Sequence, residues 1–341
     1  PTVREYACAF GRARVCFAFP MLRAGKYELL EELPKGGVGR VFLGQLEGSD
    51  DVPLRLIKVV NERARRNSFF TATLHTEAPA ATAFKHPGAL STFAVEDDDE
   101  HLIIVQEMAN GPTWAALRER ARSAGRTFSA DSLLLLGVQT ARVLAAAQET
   151  PWAHGETDGL VIGQLSPHGM YVTPTGELRI AGVGLGRSRV CLPPSRDRLP
   201  YRAPELFERE PVSSASDVYG LGVVLYDAFA NADTFERDSV AQVKDAVIEV
   251  IPPPLSHLPS EVDRLLHQMM AKDPTERPFD MSVVIRAFES VMGREPALVA
   301  AEWAEHLRVL FPERFDSHDS IDVARRVQPR VSGPYIQTRQ S

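Results

Sequence analysis

Apolar and polar positions change period several times along this chain, and each change marks an element. Residues 26–33 (KYELLEEL) and 40–43 read as two short strands around a Pro34-Lys35-Gly36-Gly37-Val38-Gly39 turn, a glycine-linked strand pair. Residues 53–60 (PLRLIKVV) read as a further strand with Lys58 near its end, and 101–111 (HLIIVQEMANG) as another. The acidic run Asp97-Asp98-Asp99-Glu100 before it fits a solvated turn. Residues 129–148 carry apolar side chains at helical spacing and predict a long buried helix. Residues 170–173 and 177–180 flank Pro174-Thr175-Gly176, a hairpin signal. Residues 297–311 (ALVAAEWAEHLRVLF) form an amphipathic helix with Trp303 and Leu307 on one side. Packing on the preceding domain is preferred for it over binding a partner. From about residue 316 the chain is polar and aperiodic and reads as a flexible tail.

Composition narrows the class. The 341 residues fit one large two-lobed domain or two ordinary ones, and 44% hydrophobic with 24% charged residues is ordinary for a globular protein. A net charge of −7 weighs against nucleic acid or an anionic membrane as partner. Cys8, Cys16 and Cys191 are too few and too scattered for a disulfide framework or a zinc site, which favours a reducing, cytoplasmic setting. No run approaches the ~18 apolar residues of a membrane span. Arg12 and Arg14 interrupt the apolar N-terminal stretch, against a signal peptide. Met21 precedes the first strand, so residues 1–24 are expected to be an extension outside the fold.

The remaining signals are motifs in a fixed order. After the glycine turn and Lys58 come Glu77, then His86-Pro87-Gly88. The hairpin is bracketed by loops at 162–169 and 182–184. Tyr201-Arg202-Ala203-Pro204-Glu205, Ser216-Asp217-Val218-Tyr219-Gly220 and Lys272-Asp273-Pro274-Thr275-Glu276-Arg277-Pro278 follow. In order and spacing this series resembles the eukaryotic-type protein kinases over roughly residues 26–292. Ser166-Pro167-His168 is similar to a bacterial Ser/Thr branch of them. The resemblance implies an α+β, bilobal kinase-like fold, with a small β-rich N-lobe (25–108) and a larger helical C-lobe (109–293). An appended helix (294–315) and the tail (316–341) complete the chain.

The resemblance also implies roles. Gly36 and Gly39 match two glycines of the phosphate-covering loop, with Pro34 in place of the first, and Val41 lies over the nucleotide. Lys58 would bind phosphates and pair with Glu77. Gln106 is the gatekeeper, and Glu107 and Met108 open the hinge. Asp217 would hold the catalytic-loop backbone, and Glu205 would pair with Arg277.

The departures fall at the chemistry. Gln164 stands where the family has its catalytic base, and Gly169 and Gly182 stand where it has its two metal ligands. A glutamine takes up no proton at neutral pH, and glycine offers no oxygen to magnesium. Pro79 predicts a kink after Glu77 and unsettles the Lys58–Glu77 pair. Leu56 and Tyr171, larger than usual, occupy the positions that sandwich adenine. Arg198 replaces the substrate-loop threonine, and no threonine lies between residues 185 and 202. The resemblance with these losses implies a pseudokinase: no metal, no cofactor requirement, any ATP held without magnesium, and a protein partner such as a kinase or signalling protein. Two alternatives stay open. One is a Ser/Thr kinase or other ATP-dependent transferase with a rearranged site, Glu156 or Asp158 substituting; the other is a metal-independent nucleotide sensor.

Overall fold

Strand alternation in the first hundred residues builds one antiparallel sheet. The computed structural model describes residues 22–33, 38–48 and 53–312. Its strands are β1 (Leu22–Ala24), β2 (Tyr27–Leu33), β3 (Gly39–Leu46), β4 (Arg55–Val60), β5 (Thr92–Asp97) and β6 (Leu102–Glu107), in the order β1-β2-β3-β4-β6-β5. β6 lies between two neighbours, and Leu102 to Gln106 are all buried, as an interior strand requires. The extension expected to reach residue 24 is too long. Leu22 and Ala24 pair with Leu29 and Tyr27, because the chain around Gly25 turns back at once and gives β2 an edge partner. Residues 1–21, Pro34, Gly36 and the tail from 316 lie outside the described residues.

α1 (Glu62–Arg65) and α2 (Ser68–Ala83) follow β4. Asn67 caps α2 by accepting the N–H groups of Phe69 and Phe70 at 3.1 Å. Phe70, Leu74 and Ala81 bury that helix against Val60, Leu102 and Ile104 of the sheet. The helix carries the proline expected to kink it, and runs through Pro79 to Ala83 without interruption. A proline there removes one bond to the carbonyl four residues back, and the packed face on both sides of it keeps the remaining turns in place.

The C-lobe contains α3 (Trp114–Ser123), α4 (Ala130–Gln148), β7 (Met170–Val172), β8 (Leu178–Ile180) and α5 (Gly186–Val190). Then come α6 (Ser214–Ala230), α7 (Val240–Glu249), α8 (Ser260–Met269), α9 (Met281–Val291) and α10 (Pro296–Leu310). By length and composition α4 is apolar enough to cross a membrane, a match the sequence reading did not register. Most of it is buried, however, with Leu133, Leu136, Val138 and Val143 in the large core shared with α6 and α9. α10 closes this core. Trp303 is fully buried 5.9 Å from Trp114 between ring centres, and Glu302 binds the Ser132 hydroxyl at 3.0 Å and Arg294 at 2.7 Å. The turn of the β7–β8 hairpin also rests on α10. A Cβ on Gly176 would lie 1.8 Å from the Ala300 carbonyl oxygen, so only glycine fits.

Candidate functional site

Three segments meet between the lobes. Val38, Gly39, Val41 and Lys58 form the upper wall, and Gln164 comes from the loop before β7. Arg189, Leu192, Ser195 and Arg198 come from the segment after β8. Together they line a cavity of ≈ 90 Å³.

The frame under it is ionic. Asp217 of α6 accepts the N–H of Ile162 at 2.7 Å and of Gly163 at 2.8 Å, fixing the loop that carries Gln164. Burial pushes the Asp217 carboxyl up to about 7, against the pull of those two bonds. Further down, Arg277 donates to both oxygens of Glu205 at 2.8 Å, with the guanidinium fully enclosed. Burial alone would raise the Glu205 carboxyl, but the Arg277 fork outweighs it and holds the group below the ordinary value.

At one of the two positions where the family has a metal ligand, the structure places an arginine. Gly182 has φ +83°, and a Cβ built on it would lie 2.5 Å from Nη2 and 2.9 Å from Cζ of Arg189. The guanidinium covers the glycine where a carboxylate would project. Around Gly169 there is open space. No cluster of histidine, cysteine, aspartate or glutamate able to hold a metal exists among the described residues.

Lys58 and Glu77 do not pair. Glu77 is fully buried and accepts the backbone N–H groups of Arg187 and Ser188 at 2.8 Å, at the start of α5. Burial raises its pKa, and these bonds oppose the rise. The proline is therefore not what separates the pair; α5 has taken the carboxylate. Lys58 has no ion-pair partner among the described residues, and its pKa is lowered to about 7, first by crowding with protein atoms and then by Arg189 and Arg198. Arg189 is likewise lowered to about 10 by burial and by Arg198.

The hinge side is tightly tied. Leu33, Val41, Leu43 and Leu56 form one buried apolar cluster with Met108 packed on it. Gln106 is buried and donates to the Thr92 hydroxyl at 3.0 Å. Glu107 accepts from Arg179 at 2.8 and 2.9 Å and from the Ser91 N–H at 3.0 Å, so its side chain joins the two lobes. Tyr171 on β7 is raised by burial, while Arg198 and Arg189 pull it down.

The structure thus brings Gly39, Val41, Lys58, Gln164 and Arg198 to one cavity and leaves Glu77 bound elsewhere. Sequence reasoning missed Arg189. The one available signal was charge: Arg187, Arg189, Arg196, Arg198 and Arg202 crowd the stretch after Gly182, with only Asp197 opposed.

Residues 27–287 match the family described as protein tyrosine and serine/threonine kinase. The chain belongs to this kinase family. It is 25% identical over 269 residues to the tyrosine-protein kinase MasK of Myxococcus xanthus, covering 76% of this chain and 42% of that protein. Against the serine/threonine-protein kinase PknA of Mycobacterium tuberculosis H37Rv it is 28% identical over 292 residues, covering 80% and 63%. It therefore spans less than two thirds of the length of either relative. The crystal structure of the M. tuberculosis PknI kinase domain superposes with a TM-score of 0.62 at 20% identity, covering 80% of this chain and 99% of that one, which shows a shared fold. As a kinase-family chain it departs from the family at its metal site. With Gly169, Gly182 and an overlying guanidinium, the residues present do not fit a magnesium ion, which takes oxygen ligands.

Proposed function

We propose that this kinase-family chain is a pseudokinase domain, a protein-binding scaffold or regulator in phospho-signalling. The observation that carries the reading is Arg189 lying over Gly182 in place of a metal-holding carboxylate. Phosphoryl transfer is positioning plus neutralisation of charge by metal ions, with a carboxylate to accept the hydroxyl proton. Here the base position is Gln164, and a fixed cation stands where the metal's ligand would be. The Glu77 bonds to α5 support the same reading, since they hold the segment after β8 across the site.

A second reading is a Ser/Thr kinase with a rearranged site. It is favoured by the intact C-lobe frame of Asp217, Glu205 and Arg277, and by relatives named as serine/threonine kinases. Incubation with labelled ATP and magnesium or manganese separates the two. The expected result is no incorporation into the chain or a general substrate protein. Incorporation that disappears in Lys58→Ala establishes the second reading instead.

A further inference from the structure

We propose that a second cavity, within the C-lobe, binds a small organic carboxylate that carries an apolar body. It encloses ≈ 260 Å³ between α3, the start of α4, the end of α6 and the segment before α8, and shares no lining residue with the cavity between the lobes. Two kinds of wall meet there. Trp114, Phe128 and Leu258 give an apolar side, with the Trp114 and Phe128 rings 4.7 Å apart between centres. Arg118, Arg122 and Arg126 give a cationic side. A spacing of four puts the first two on one face of α3. The helix end brings the third to the same cavity: Gly125 takes φ +64°, and the Arg126 N–H reaches the Ala121 carbonyl at 2.8 Å.

Donors outnumber acceptors at this cavity. Among the described residues Asp233 is the one carboxylate bonded to these arginines, accepting from Arg118 at 2.7 Å and from Arg122 at 2.9 Å. The Nε of Arg118, the Nε and Nη2 of Arg122 and the Nε1 of Trp114 are buried and have no hydrogen-bond partner there. Trp114 is fully enclosed and Arg118 is only 8% exposed, so solvent does little for either. Arg126 has neither an ion pair nor a side-chain hydrogen bond among the described residues. Asp227 does not make up the difference: it accepts the Thr234 N–H at 2.9 Å, and its other oxygen itself lacks a donor. Buried polar groups without partners are costly, and the orphans lining this cavity are all donors. What they lack is a charged acceptor, and a carboxylate meets a guanidinium edge with two oxygens. The apolar wall sets the rest of the ligand, since a bare inorganic anion would leave those rings facing water. The volume falls a little under the roughly 300–1,000 Å³ of ordinary small-molecule pockets, which limits the body to about one aromatic ring.

The inference goes beyond the pseudokinase reading and does not rest on it, because no residue of this cavity belongs to the cleft. The test is calorimetry with ligand-observed NMR on the full chain at constant ionic strength. The probes are phenylacetate, its neutral counterpart phenylacetamide, and acetate, which keeps the charge and lacks the ring. Phenylacetate is expected to bind, and the other two at least tenfold more weakly. Arg122→Ala should weaken phenylacetate about tenfold or more. That arginine also holds Asp233, so Arg126→Glu is the second variant. Arg126 is exposed and makes no side-chain bond among the described residues, so the fold tolerates the change, and the reversed charge should weaken phenylacetate to a similar degree. If Arg122→Ala does not fold, Arg126→Glu decides. No binding of phenylacetate at millimolar concentration overturns the proposal. So does phenylacetamide or acetate binding as tightly as phenylacetate, or an undiminished affinity in either folded variant.

Discussion

Glu77 and Ser188 are joined across the cleft: the carboxylate of α2 accepts the Ser188 N–H at 2.8 Å, between residues 111 positions apart. The same carboxylate takes the N–H of Arg187, so one side chain satisfies two donors at the start of α5. Leu185 adds apolar contact by packing into the cluster of Phe70, Leu74 and Ala81. The segment after β8 is thereby fastened to the N-lobe, and Lys58 is left to face Arg189 and Arg198.

Removing the carboxylate should loosen that fastening. Glu77→Ala leaves two donors without their acceptor, at a cost on the order of 1–3 kcal/mol. Glu77→Gln keeps one acceptor oxygen and should cost less. Hydrogen exchange is expected to show faster exchange at Arg187 and Ser188 in the alanine variant. Unchanged protection there would mean that α5 is held by its apolar contacts alone.

The Glu205–Arg277 pair carries a larger penalty. Both groups are buried, and the fork is bidentate at 2.8 Å. Arg277→Ala leaves a buried carboxylate unpaired and should destabilise the chain by about 3–5 kcal/mol. Denaturant unfolding measures this, and a midpoint like the parent's would contradict the assigned role.

Stability should depend on pH in two opposed ways. Asp217 is raised from 3.8 to about 7, so its contribution is full below pH 3.8 and is lost as pH rises through 7. Lys58 is lowered from 10.5 to about 7, so its contribution is present above pH 10.5 and is lost as pH falls through 7. The two together place a stability minimum near neutrality in phosphate-free buffer. Lys58→Met should therefore stabilise at pH 7, on the order of 1–3 kcal/mol given its partial contact with solvent. That difference should fade towards pH 10.5. A variant less stable than the parent at pH 7 would show that Lys58 has a favourable partner.

Restoring the missing acids should not restore a nucleotide site. Gln164→Asp, Gly169→Asn and Gly182→Asp rebuild the base and both metal ligands in composition only. The new carboxylate at 182 would meet the Arg189 guanidinium and pair with it, leaving little for a metal ion. Leu56, packed with Val41 and Met108, still fills the apolar side. A magnesium-dependent ATP shift in melting is expected only after Arg189→Ala and Leu56→Ala are added, and the latter costs roughly 2–5 kcal/mol. Magnesium-dependent ATP binding by the triple variant alone would refute the filled-site argument.

What the sequence disclosed follows from how its signals are written. Asp217, Glu205 and Arg277 were legible because each sits in a short motif whose neighbours fix its role, and the structure pairs them as that role requires. The hairpin was legible from its turn, although its strands are shorter, Met170–Val172 and Leu178–Ile180. Arg189 was not, because its partner is a missing side chain: nothing local marks the residue that moves into a space opened by glycine. The bonds of Glu77 were hidden for a related reason. Proline chemistry near residue 79 gave a local ground for doubting the Lys58 pair, but the competitor lies in a distant segment and uses backbone groups, which leave no trace in residue identity. β1 was missed because three residues carry no period.

The family match ends at residue 287, and α10 begins at Pro296. Yet Trp303 completes the core over Trp114, and Ala300 is the surface on which the Gly176 turn rests. That turn joins the two strands that place Tyr171 beside Arg189 and Arg198. A fragment cut at the border drawn by homology would lose the lid of its core and the stop behind its hairpin together. The unit that folds is longer than the unit that is recognised.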